Sequence, residues 1–147
     1  MGSLDHGFGG VTRGGTLDLM SYKREAREAA EQTLADLWTG SHPVDPVKIA
    51  RALGIRVYDA RLRSDVSGAL VKEPGKDPAI VLNEADHPNR KRFSCAHEIG
   101  HFIRRKDDPD QYEYLDLRGP LAAEGRDPDE IFANTFAASL LMPKADV

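Results

Sequence analysis

His97 and His101 stand four residues apart in the segment RFSCAHEIGHFIRR, Arg92 to Arg105, with Glu98 directly after the first of them. Burying two imidazoles on one helix face costs free energy unless they hydrogen-bond or bind something. At about 3.6 residues per turn, both rings can converge on one tetrahedral ion at roughly 2.0–2.1 Å. Glu98, rotated about 100° from His97, is turned away from the ligand direction yet can reach a water on that ion, the position a general base needs. The plainer alternative is two satisfied polar histidines beside a surface glutamate. Gly100 adds a hint of its own: glycine inside a helix costs about 1 kcal/mol against alanine, and close approach of a neighbouring element would explain it.

This spacing is the H-E-x-x-H arrangement of zinc metallopeptidases. Two histidines leave a catalytic zinc one protein ligand short, because such sites take three and keep the fourth position for water. Downstream carboxylates that can supply the third are Asp107, Asp108, Asp110, Glu113, Asp116, Glu124, Asp127, Asp129 and Glu130. Glu130 is preferred because it sits on a regular element, with Asn134 one turn further on the same face and able to hydrogen-bond a ligand from behind. Asp127 and Glu130 also fit a capping box with no metal, and spacing alone leaves both readings open.

The elements that must position these residues follow from pattern. Ser21 is a good N-cap for YKREAREAAEQTLADLW, where Ala26, Ala30, Leu34 and Leu37 recur at helical spacing until Thr39 and Gly40. Asp45 and Pro46 open a short second helix that Gly54 closes. The period then changes: IRVYDARL alternates, VSGALVK is strand-like, and AIVLN is a compact apolar run, together a sheet of about three strands. Asp86 or His87 caps a helix running to about Arg105. Residues 107–126, rich in Asp, Pro and Gly, read as a long connection forming a wall or lid. Asp127 and Pro128 begin a final helix, EIFANTFAASLLMP, apolar almost all round and expected to pack on the helix bearing the histidines. The expected fold is α+β and zincin-like. Residues 1–20, with six glycines, read as a flexible extension, and residues 21–147 as one domain.

Other function classes fare less well. A net charge of −4 with 30% charged residues gives no basic footprint for nucleic acid. DPVKIARALGI has the look of one helix of a DNA-binding helix-turn-helix, but a strand follows it. No apolar run approaches the ~20 residues that span a bilayer, and Cys95, the single cysteine, has no partner, so a cytoplasmic location is expected. Cys95 reads as a buried core thiol, His6 as a solvated tail residue, and His42 and His87 as loop or cap residues. The clusters Arg90, Lys91, Arg92 and Arg104, Arg105, Lys106 read as solvated faces.

RFSCAHEIGHFI followed by EIFANTFAASLLMP resembles the ImmA/IrrE family of zinc metallopeptidases, whose pattern pairs H-E-x-G-H with a later E-x-x-A-N-x-F-A-x-x-L-L-x-P. The resemblance covers about Ser21 to Val147. It implies one zinc ion per chain, bound by His97, His101 and Glu130, with Glu98 as catalytic base. It also implies an intracellular endopeptidase that cleaves a transcriptional repressor of Xre-like helix-turn-helix type, in stress responses or toxin–antitoxin-like pairs. Relatives commonly continue beyond the position where this chain ends, so a truncated chain or a minimal catalytic core is expected. Tyr112, Tyr114 and Arg118 are candidates to help hold an oxyanion, and SGALVK is a candidate edge for an extended substrate. The competing class is a regulatory binding or sensor module that keeps zinc for structure and acts on a repressor without hydrolysis.

Overall fold

The computed structural model describes residues 15–105, 111–118 and 127–142, with side chains from residue 19 onward. Within the described residues, four helices and four strands follow in the order α1 (Gly15–Leu37), α2 (Pro46–Ala52), β1 (Arg56–Ala60), β2 (Val66–Lys72), β3 (Ala79–Asn83), α3 (Pro88–Arg105), β4 (Tyr112–Leu117) and α4 (Pro128–Leu141). The fold is α+β, with one mixed sheet in the order β1-β3-β2-β4. β1 runs parallel to β3, while β2 is antiparallel to both its neighbours. Among the described residues no helix is long and apolar enough to cross a membrane.

The cap signals are built as the pattern predicts. Asp45 accepts a hydrogen bond from the Val47 amide at 3.0 Å, Pro46 takes the first turn of α2, and Gly54 follows its end with φ +86°, where a side chain would be strained. His87, rather than Asp86, caps α3: its Nδ1 accepts from the Asn89 amide at 3.0 Å.

Three expectations need correction. The first helix begins at Gly15, not Ser21, so the boundary placed at residue 20 falls inside α1; residues 1–14, with His6, lie outside the described residues. Extending a helix upstream costs far less than nucleating one, and Thr16 to Met20 contain no breaker. The sheet has four strands rather than three, because Tyr112–Leu117, read as part of a connection, pairs along β2 from Lys72 to Val66. Its Y-E-Y-L-D-L alternation was masked by the Asp, Pro and Gly around it. SGALVK is consequently an interior strand, and cannot offer an open edge to substrate.

Leu70, Ile80 and Leu82 of the sheet meet Cys95, Ala96 and Ile99 of α3 in one apolar core, which Phe132, Phe136, Ala137 and Leu140 of α4 and Ala26 and Ala30 of α1 complete. The basic cluster at the start of α3 is part of this scaffold rather than a solvated face. Arg90 Nε donates to Ser67 Oγ at 3.1 Å, Lys91 pairs with Asp59 at 2.8 Å, and Arg92 Nη2 donates to the Val44 carbonyl at 3.0 Å.

Gly100 accounts for the close packing of α3 on α4. A Cβ there would lie 3.0 Å from Ala133 Cα and 3.2 Å from Phe136 Cβ, both rigid neighbours. Gly100→Ala is expected to destabilise the protein even though alanine is the better helix former. Overpacking costs about 1–3 kcal/mol against a propensity gain of about 1 kcal/mol. A denaturant midpoint equal to or above that of the parent would refute this account of the helix contact.

Candidate metal centre

Two elements meet at the site because α3 and α4 pack face to face. His97 and His101 project from one face of α3, both buried, their ring centroids 4.9 Å apart and nearly perpendicular. Glu130 enters from the first turn of α4. Its Oε1 lies 3.2 Å from His97 Nε2 and its Oε2 lies 3.1 Å from His101 Nε2. All three residues offer donor atoms within 4.8 Å of one another. Glu130 is 35% exposed whereas the two imidazoles are 3% and 1% exposed, so the cluster opens to solvent on its carboxylate side.

The downstream carboxylates differ in what each one touches. Asp127 caps α4 by accepting from the Asp129 amide at 2.9 Å, and Glu130 turns toward α3 instead of closing a capping box. Asp129 accepts from Arg104 Nε at 2.6 Å and Arg105 Nη2 at 3.0 Å. These bonds tie the start of α4 to the end of α3, so Arg104 and Arg105 are anchors rather than a solvated face. Partial burial tends to raise the Asp129 pKa, but the two guanidiniums outweigh it and hold the carboxyl below its usual range. Glu113 is exposed on β4. Asp107, Asp108, Asp110 and Glu124, with Lys106, lie outside the described residues.

Asn134 does not support Glu130. Glu130, Ala133 and Ala137 share the row turned toward the protein, which leaves Asn134 exposed and without a hydrogen bond to Glu130. The wall behind His101 comes instead from β4. Tyr114 stacks on the His101 ring with centroids 4.1 Å apart and planes 12° apart, and its hydroxyl accepts from Arg105 Nε. Arg118 is committed elsewhere, to Asp86 at 2.8 Å and the Val66 carbonyl at 3.2 Å. Of the three oxyanion candidates, Tyr114 touches a site residue directly, and Tyr112 packs beside it at 6.0 Å between ring centroids.

The electrostatics favour a cation. In Glu130, partial burial works to raise the pKa, but the His101 and His97 imidazoles beside it outweigh it and hold the carboxyl well below the usual carboxylate range. Glu98 is fully buried, and neither of its oxygens has a hydrogen-bond partner. Burial first, then the nearby Asp116 and Glu130 carboxylates, push its pKa well above the ordinary value. Both nitrogens of His97 and Nδ1 of His101 are likewise buried without hydrogen bonds. Unsatisfied buried groups of this kind are rare in a finished core and cluster where an ion or substrate is handled. Two imidazoles and a carboxylate converging on one point fit a tetrahedral divalent metal with a position to spare.

The description of the IrrE N-terminal-like domain matches residues 50–147. The chain belongs to that peptidase family. A relative, the radiation response metalloprotease IrrE of Deinococcus radiodurans, is 38% identical over 68 residues, which make up 44% of this chain and 19% of the relative. The matched segment thus spans about a fifth of that protein's length. Membership in the IrrE N-terminal-like family supports a metallopeptidase-type function, and the His97, His101 and Glu130 cluster supplies residues that could hold the metal.

Sequence reasoning missed the part played by Asp116. It was one of nine carboxylates, and it forms with Glu98 and His97 a second group of donors within 4.8 Å. The every-other-residue series Tyr112, Tyr114, Asp116 carried the signal, since a strand places such residues on one face. Cys95 is buried as expected, and desolvation, chiefly, pushes its thiol up to about 12.

Proposed function

We propose that the protein is a zinc-dependent endopeptidase in which His97, His101 and Glu130 hold one zinc ion and Glu98 is the general base. The observation that carries this is a fully buried, unpartnered Glu98 beside a converging pair of imidazoles and a carboxylate. Zinc is favoured over calcium or magnesium because two of the three donors are nitrogen. When bound, the ion supplies Lewis-acid polarisation of a scissile carbonyl and lowers the pKa of water.

The remaining work falls to the chain itself. Glu98 takes a proton from the attacking water on one of its free oxygens, and the raised proton affinity of this site suits that role. It then releases the proton to the leaving amine. Tyr114 and the Arg105–Asp129 pair fix the His101 ring and the start of α4, keeping the ligand set in register. Among the described residues β4 is the outer strand on the side of the site, the place where an extended peptide would pair by main-chain hydrogen bonds. The substrate proposed is a helix-turn-helix repressor of Xre-like type in the cytoplasm, acting in a stress-response or antitoxin-like circuit.

A zinc-stabilised module that binds a repressor without cutting it is the competing reading. It leaves Glu98 unexplained, because a structural site gains nothing from a buried carboxylate that costs free energy and touches no partner. The test is to incubate the protein with candidate repressors before and after chelation. Fragments should form with metal, cease when it is stripped, and return on addition of one equivalent of zinc. Cleavage that persists in metal-free protein would remove the ion from the reaction, and repressor binding without fragments would favour the module.

A further inference from the structure

Beside the proposed zinc ligands lies a second set of donors. His97, Glu98 and Asp116 place donor atoms within 4.8 Å of one another, and all three are about nine-tenths buried or more. Neither oxygen of Glu98 has a hydrogen-bond partner, and Oδ2 of Asp116 has none either. The cation facing Asp116 is Arg90, whose Nη2 is 3.9 Å from Oδ2, too far for a hydrogen bond, while its Nε is committed to Ser67. Three carboxylate oxygens from two different elements, both of Glu98 and Oδ2 of Asp116, are thus buried side by side without a hydrogen-bond donor. One shared proton would satisfy part of this set, whereas a divalent cation satisfies the carboxylate oxygens of both residues at once.

We propose that Glu98 and Asp116 form a second, weaker cation site abutting the first, through which excess Zn2+ inhibits the enzyme by occupying its base. This rests on the reading that His97, His101 and Glu130 hold the catalytic ion. The order of filling follows from the donors. The first set has two imidazoles and a carboxylate, whereas the second has two carboxylates and at most a share of His97. Repulsion from the first ion weakens the second further. Once an ion binds Glu98, its positive charge lowers the proton affinity of the carboxylate, which then no longer serves as base toward the attacking water.

Equilibrium dialysis of the full chain against graded Zn2+, with bound metal measured by mass spectrometry, tests this alongside cleavage of a repressor substrate. The wild-type protein should take up a second equivalent as zinc rises, and its activity should fall over the same range. Asp116→Asn should keep the first equivalent, lose the second, and resist inhibition to higher zinc. A wild type that remains at one equivalent while activity falls, or an Asp116→Asn protein that still binds two, would overturn the proposal. No bound equivalent in the wild type would instead defeat the metal centre itself. A single equivalent that survives Glu130→Ala but not Asp116→Asn would defeat both assignments, by placing the only ion at Glu98 and Asp116.

Discussion

Glu98→Gln is expected to abolish most peptide cleavage while leaving zinc content and fold intact. Glutamine has the same shape and no proton-accepting carboxylate, and loss of a general base costs about a hundred- to ten-thousand-fold in rate. Because Glu98 is not in the proposed ligand set of His97, His101 and Glu130, zinc should remain at one equivalent. Burial and the Asp116 and Glu130 carboxylates all disfavour a charged Glu98. Removing that charge should therefore leave the melting temperature unchanged or higher, as is common where activity requires an unfavourable group. Cleavage at the parental rate, assayed with metal content checked in the same sample, would show that another group takes the proton.

Glu130→Ala is expected to have the opposite signature, with zinc lost and the fold retained. Removal of a supporting residue behind a ligand lowers metal affinity by about 10–100-fold, and removal of a ligand itself should cost more. Glu130 is 35% exposed and sits at the helix rim, so alanine there opens no core cavity that could mimic metal loss through unfolding. Zinc measured after dialysis should fall below stoichiometric, and the rise in melting temperature that zinc gives the parent should vanish, since a ligand stabilises only the state that binds it. Asp129→Ala is the control. It breaks the bonds to Arg104 and Arg105 but removes no donor, so the protein should still load fully at saturating zinc. Equal retention by both variants would move the third ligand elsewhere.

Short-range features were legible from the chain alone. The four-residue spacing of His97 and His101 places both rings on one face whatever surrounds the helix, because helical geometry is local. The caps at Asp45 and Asp127, the prolines after them and the left-handed Gly54 were readable for the same reason. Gly100 announced a close neighbour without naming it.

What the chain could not decide alone was which distant residues meet. By spacing, Glu130 suited a capping box as well as a metal; the packing of α3 on α4 across Gly100 turns its carboxylate to the imidazoles. Strand β4 depends on pairing with β2 some forty positions earlier, as in Lys72 opposite Tyr112, so its local composition read as a connection. With that strand come Tyr114 against His101 and Asp116 beside Glu98, neither of which any local pattern places there. Helical periodicity is set by bonds within a few residues, whereas a strand face and an interhelical contact exist only once the partners are packed. The amino-acid sequence therefore determined the chemistry on α3, and the tertiary structure decided which groups surround it.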